Sequence, residues 1–93
     1  MEYIIKNPQD LEKFKDEFGY TVDGDLRVEC SLNLIGRLYV NNNLSIKAGE
    51  SIEAGGWIKA GGWIKAGGAI EAGRSIEAGG PIEAGGPIIS FSV

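Results

Sequence analysis

The chain has no histidine among its 93 residues. It therefore lacks the side chain most often used as a general base near neutral pH, and the commonest metal ligand with it. Cysteine occurs once, at Cys30, so no internal disulfide can form and no thiolate cluster can hold a metal. Threonine also occurs once, at Thr21, which leaves no regular threonine row of the kind a flat ice-binding face would use. No apolar run approaches the ~18 residues that would span a bilayer, and Met1-Glu2-Tyr3 lacks the basic start of a signal peptide. These absences predict a soluble, cytoplasmic protein without membrane contact. Net charge is −4 with no block of like charge, so nucleic acid is not an expected partner.

What the chain does have is a repeat. From Ser45 it reads SIKAGE, SIEAGG, WIKAGG, WIKAGG, AIEAGR, SIEAGG and PIEAGG, then Pro87. Ile returns every six residues from Ile46 to Ile88, with Ala two places later and Gly three. A short fixed period of this kind marks a solenoid, in which each repeat buries its apolar side only by stacking on its neighbours. In an extended segment alternate side chains face opposite ways, so Ile58 and Ala60 share one face and Trp57 and Lys59 the other. The residue after each Ile is charged in seven hexads (Lys47, Glu53, Lys59, Lys65, Glu71, Glu77 and Glu83), which puts Ile and Ala inside. Paired glycines would cost a helix about 1 kcal/mol each. Here they suit a corner that needs positive φ, or one too crowded for a Cβ. Pro81 and Pro87 stand where other hexads have Trp, Ser or Ala, which fits the first residue of a strand.

The fold expected is all-β: a single-stranded triangular β-helix of hexapeptide repeats, with 18 residues per coil preferred over 12. In degenerate form the period starts earlier. Val28, Leu34 and Val40 lie six apart in phase with Ile46, and Leu26, Leu32, Leu38 and Leu44 each precede them or Ile46 by two places. Asn41-Asn42-Asn43 replaces the corner glycines, where Asn tolerates left-handed φ. The chain thus divides into residues 1–24, an N-terminal strand and capping helix, and residues 25–93, the solenoid. Asn7-Pro8 opens an amphipathic α-helix whose Leu11, Phe14 and Phe18 share a face, and Gly19 is its expected stop. That helix is expected to cover the first coil at Leu26 and Val28.

The run GDLRVECSLNLIGRLYV (Gly24 to Val40), followed by the Ile-x-Ala hexads, resembles the bactofilin-type polymer-forming proteins of bacteria. It is also similar to phage and bacterial proteins that carry tandem IxAG hexads. The resemblance covers about residues 24–89 and implies a right-handed triangular β-helix that self-assembles without nucleotide. The left-handed hexapeptide helices of acyltransferases differ: they want a small inward residue four places after the Ile, where this chain has Glu50 and Arg74. They also use a histidine that this chain does not have.

No catalytic, cofactor-binding or metal-binding set is expected. The glutamates at 53, 71, 77 and 83 form an outward row, not a converging acid/base pair. Cys30 reads as a small core residue, and the glycine-rich hexads lack the strand-to-helix junction of a phosphate loop. The expected function is a non-enzymatic structural or self-assembling solenoid; the alternative is a phage-type or regulatory inhibitor that binds a host protein. The candidate interface is Ile88, Ile89, Phe91 and Val93 at the C-terminal end, with Trp57 and Trp63 as exposed aromatics of the kind found at protein contacts. The partner expected first is a second copy of this chain, joined C-terminal end to C-terminal end.

Overall fold

The computed structural model describes residues 2–47 and 49–90, and within them the chain winds into a parallel β-solenoid of about four turns. Thirteen short strands, β1 (Glu2–Ile5) to β13 (Ile88–Ser90), are separated only by corners, apart from one short helix between β1 and β2 (Gly19–Val22). Three parallel sheets form the walls. Sheet A stacks β1, β3 (Asp25–Val28), β6 (Leu44–Ile46), β9 (Ile64–Ala66) and β12 (Ile82–Ala84). Sheet B stacks β2, β5 (Arg37–Val40), β8 (Ile58–Ala60) and β11 (Ile76–Ala78). Sheet C stacks β4 (Leu32–Leu34), β7 (Ile52–Ala54), β10 (Ile70–Ala72) and β13. Each coil visits the walls in the order A, C, B, the arrangement expected of a triangular coil built from three hexads.

The inside and outside faces follow the alternation in the sequence. Ile52, Ile58, Ile64 and Ile70 are at most 1% exposed, and their Ala partners are buried with them. In register, Lys59 lies beside Glu77 and Lys65 beside Glu83 on the outer surface, while Glu53 lies beside Glu71. The corner glycines are explained by crowding. A Cβ on Gly73, Gly79 or Gly85 would fall 2.2–2.3 Å from the carbonyl oxygen of the glycine one coil below, a separation that no packed carbon tolerates. Among the described residues positive φ is confined to Gly19, Gly24, Gly36 and Gly49. The three asparagines do not take left-handed φ, as no non-glycine residue does among the described residues. Asn43 instead accepts the N–H of Trp63 through Oδ1 at 2.9 Å.

The register corrects the phase expected between early and late coils. Leu26 pairs with Leu44 and Leu44 with Ile64, so the leucines stack on the repeat isoleucines, while Val28 and Ile46 stack on Ala66. The same holds on the other walls, where Leu32 meets Ile52 and Leu38 meets Ile58. The cause is the corner between β6 and β7. It contains five residues, 47–51, where the following corners contain three. A turn closed by the Glu50 N–H on the Lys47 carbonyl at 3.0 Å, with Gly49 at φ +83°, absorbs the extra two. Ser45 therefore lies beside Lys65.

The N-terminal segment is built into the stack. β1 pairs with β3 and β2 with β5, so parallel pairing includes residues on the N-terminal side of Asp25. The expected α-helix is instead a 3-10 helix, Pro8–Phe14, packed on β1 and β2. In chain order it fills the place between walls A and B that a sheet C strand holds in every later coil. The Asp10 carboxylate caps its start by accepting the Lys6 and Asn7 N–H groups at 3.0 and 3.3 Å. Leu11 is 1% exposed in the common core, and Phe14 packs at its edge, 5.0 Å from Tyr3 ring to ring.

Phe18 does not join them. It is 61% exposed. The helix stops because Asp16 offers a competing set of bonds. Its carboxylate accepts the Phe18 N–H at 2.8 Å and the Thr21 hydroxyl at 2.7 Å, and its N–H donates to the Gly19 carbonyl. Gly19 then begins β2, pressed so closely on Arg37 that a Cβ would meet its backbone.

Candidate interaction surfaces

The two ends of the stack differ. At the N-terminal end β1, β2 and β4 are the outermost strands, the 3-10 helix fills one side of the first coil, and Ile5, Leu11, Val22, Leu26 and Val28 are all at most 1% exposed. At the other end the strands β11, β12 and β13 are the last of their sheets. Burial falls away there: Ile70 is 0% exposed, Ile76 and Ile82 are half-buried, and Ile88 is 48% exposed.

The hydrogen-bond pattern shows what that end presents. In the coil below, the N–H groups of Ile58, Ile64 and Ile70 donate upward to the carbonyls of Ser75, Pro81 and Pro87 at 3.0 Å. The carbonyls of Ala60 and Ala66 accept from Gly79 and Gly85 at 3.1 and 3.0 Å. The matching Ile76, Ile82 and Ile88 donors, and the Ala78 and Ala84 acceptors, have no coil above them among the described residues. Ile89, 39% exposed, stands in the outward position beside Glu71. Ile88 and Ile89 thus lie together on this end, while Phe91 and Val93 fall outside the described residues.

The tryptophans are not brought together. Trp57 precedes β8 on wall B and belongs to a stacked corner. The Arg37 guanidinium lies 5.0 Å from its ring and 4.6 Å from the Phe18 ring, and Tyr39 meets Trp57 edge-on at 6.2 Å. Phe18, Gly36, Arg37, Gly56, Trp57 and Arg74 line a depression of about 330 Å³ there. Sequence reasoning missed Phe18, Arg37 and Tyr39 as Trp57's partners. The spacing from Arg37 to Trp57 is one coil plus the two extra residues, so only the shifted register could have found it. Trp63, 39% exposed, precedes β9 on wall A and borders a separate groove with Lys65.

Cys30 is half-buried against the core. Burial raises its thiol pKa, and the Glu50 and Asp10 carboxylates add to the shift, so the thiolate is disfavoured. Among the described residues no helix is long and apolar enough to cross a membrane.

The geometry defines a parallel, three-walled β-solenoid. No family model matches the chain, and no curated protein or solved structure matches it.

Proposed function

We propose that the protein is a non-enzymatic, self-associating β-solenoid whose open C-terminal coil joins the same surface of a second copy. The observation that carries this reading is the row of unpaired Ile donors and Ala acceptors over a half-buried Ile/Ala interior. Strand edges of this kind are templates for further pairing, and a two-fold axis would present the same edge to itself in antiparallel sense. The N-terminal coil buries its inward side chains more fully than the C-terminal coil does, so the C-terminal end is the favoured contact and a dimer the expected product. The likeness of Gly24–Val40 to bactofilin-type polymer formers supports assembly as the role and leaves its extent to the ends.

Sedimentation velocity over a concentration series tests the proposal. The parent chain should form a dimer whose melting temperature rises with concentration. Ile88→Lys combined with Ile89→Asp should leave a folded monomer. If the double variant sediments like the parent, the open coil is not the interface. The Phe18–Arg37–Trp57 corner would then be the surface to test, as a contact for a different protein.

A further inference from the structure

Wall A carries a groove of about 450 Å³ that self-association does not use. Its shape follows from the register. Ser45, a short side chain on β6, lies between the long side chains of Arg27 on β3 and Lys65 on β9. Gly67 and the backbone of Ala66, whose methyl faces the core, continue the low floor, Lys47 closes one side and Trp63 the other. Three cations thus surround one depression in a chain whose net charge is −4. Three carboxylates lie near these cations. Glu2 lies on the rim, Glu83 is in register with Lys65 on its far side, and Glu29 meets Arg27 at 3.8 Å. That pair is the one ion pair within 4.0 Å among the described residues, and it is too exposed and long to hold Arg27 firmly.

The two tryptophans make the groove specific. Trp57, at the equivalent place on wall B, is already occupied by Arg37 and Tyr39. Trp63 has no aromatic or cationic partner over its ring among the described residues, and it borders the cationic depression directly. The equivalent lysines differ in the same way: Lys59 lies 6.0 Å from the Tyr39 ring, while Lys65 has Ser45 on that side. A planar ring can stack on the indole while an attached dianion reaches Arg27, Lys47 and Lys65.

We infer that this groove binds a mononucleotide, with the base on Trp63 and the 5′-phosphate among Arg27, Lys47 and Lys65. Guanidinium and ammonium donors suit phosphate oxygens, and the small floor residues let the anion approach the sheet. Binding weakens as salt rises, because the cations are exposed.

Isothermal calorimetry with adenosine monophosphate on the whole chain is the test, with adenosine and inorganic phosphate titrated separately. The monophosphate should bind more tightly than either part. Lys65→Gln and Arg27→Gln should each weaken it roughly tenfold, the loss expected for one charge-assisted contact. Lys59→Gln should leave it unchanged. Trp63→Phe should retain part of the affinity and Trp63→Ala little, with thermal melts confirming that each variant is folded. Phosphate binding as tightly as the nucleotide would overturn the role of Trp63. The site as a whole fails if the monophosphate does not bind, or if Lys59→Gln weakens it as much as Lys65→Gln.

Discussion

Replacing Ile64 with Ala tests the core ladder at its best-defended point. Ile64 is 0% exposed and stands between Leu44 and Ile82 in the stack. The substitution removes three carbons, about 2.4 kcal/mol of transfer free energy at ~0.8 per methylene. A cavity term adds to this, because the walls are held on both sides. The Leu44 N–H is bonded to the Trp63 carbonyl and the Ile64 N–H to the Pro81 carbonyl, each at 3.0 Å. Strands pinned in this way cannot close in, which places the cost at about 3–4 kcal/mol, within the range for buried large-to-small changes. Urea unfolding followed by circular dichroism should show the midpoint falling by roughly 2 M, given a slope of about 1.5–2 kcal/mol per M. Lys65→Ala, one residue on and facing outward, should stay within about 0.5 kcal/mol. Equal midpoints for the two variants would refute the assignment of inside and outside. Ile82→Ala adds a second reading. Ile82 is half-buried in the terminal coil, so it should cost about half as much in dilute monomer and more where copies associate.

Two further outcomes follow from local geometry. Gly79→Ala, whose Cβ would sit 2.2 Å from the Gly61 carbonyl, should destabilise more than Gly49→Ala, where nothing lies within 4 Å and only φ +83° is penalised, at about 1 kcal/mol; thermal melts of the pair compare crowding with backbone strain. The Asp16 carboxyl is held below its ordinary range, first by the Thr21 hydroxyl and then by the Phe18 N–H. Its contribution is therefore present above the unfolded-state pKa and lost as pH falls through the lower folded value. Asp16→Asn should flatten that acid limb, and a limb unchanged in slope would show that the Thr21 bond is not formed in solution.

Much of this structure was legible because one alternation recurs many times. Ile58, Lys59 and Ala60 already assign inside and outside, and the prolines, expected to open their strands, stand one residue before β12 and β13. The phase between early and late coils was not legible. Leu26, Leu32, Leu38 and Leu44 form one series of period six, and Val28, Leu34, Val40 and Ile46 form another. Either could continue into the isoleucines. Side-chain bulk in the first inward position favours the leucines, but the hexad period runs unbroken through the corner at 47–51, and the corner at 73–75 also lacks Gly-Gly without any extra residue. The end of the helix was hidden for a different reason. Leu11, Phe14 and Phe18 have acceptable helical spacing, but the bonds from Asp16 to Phe18 and Thr21 form only once β2 is in place. As for the surfaces, the exposed Ile88 and Ile89 could be read from the loss of charge at position 89. The groove at Ser45 could not, because it depends on the shifted register.

The same register explains where proline is permitted. On wall A the Asp25 carboxylate accepts the Asn43 N–H at 3.0 Å, and Asn43 in turn accepts the Trp63 N–H. On wall C the Ser31 hydroxyl accepts from Ser51 at 3.1 Å, and the Ser51 hydroxyl from Ala69 at 3.0 Å. Each side-chain oxygen thus satisfies the N–H of the residue just before the strand one coil later. Trp63 and Ala69 have no oxygen to offer, and the residues that follow them in the two columns are Pro81 and Pro87. Proline has no N–H to satisfy, so each ladder ends without an orphaned donor. The carbonyls of both prolines remain in use, accepting from Ile64 and Ile70. The sequence change from Asn and Ser to Trp and Ala, and then to Pro, therefore follows a single requirement passed up the stack. The donors left open at the last coil are those of Ile76, Ile82 and Ile88, which no proline replaces.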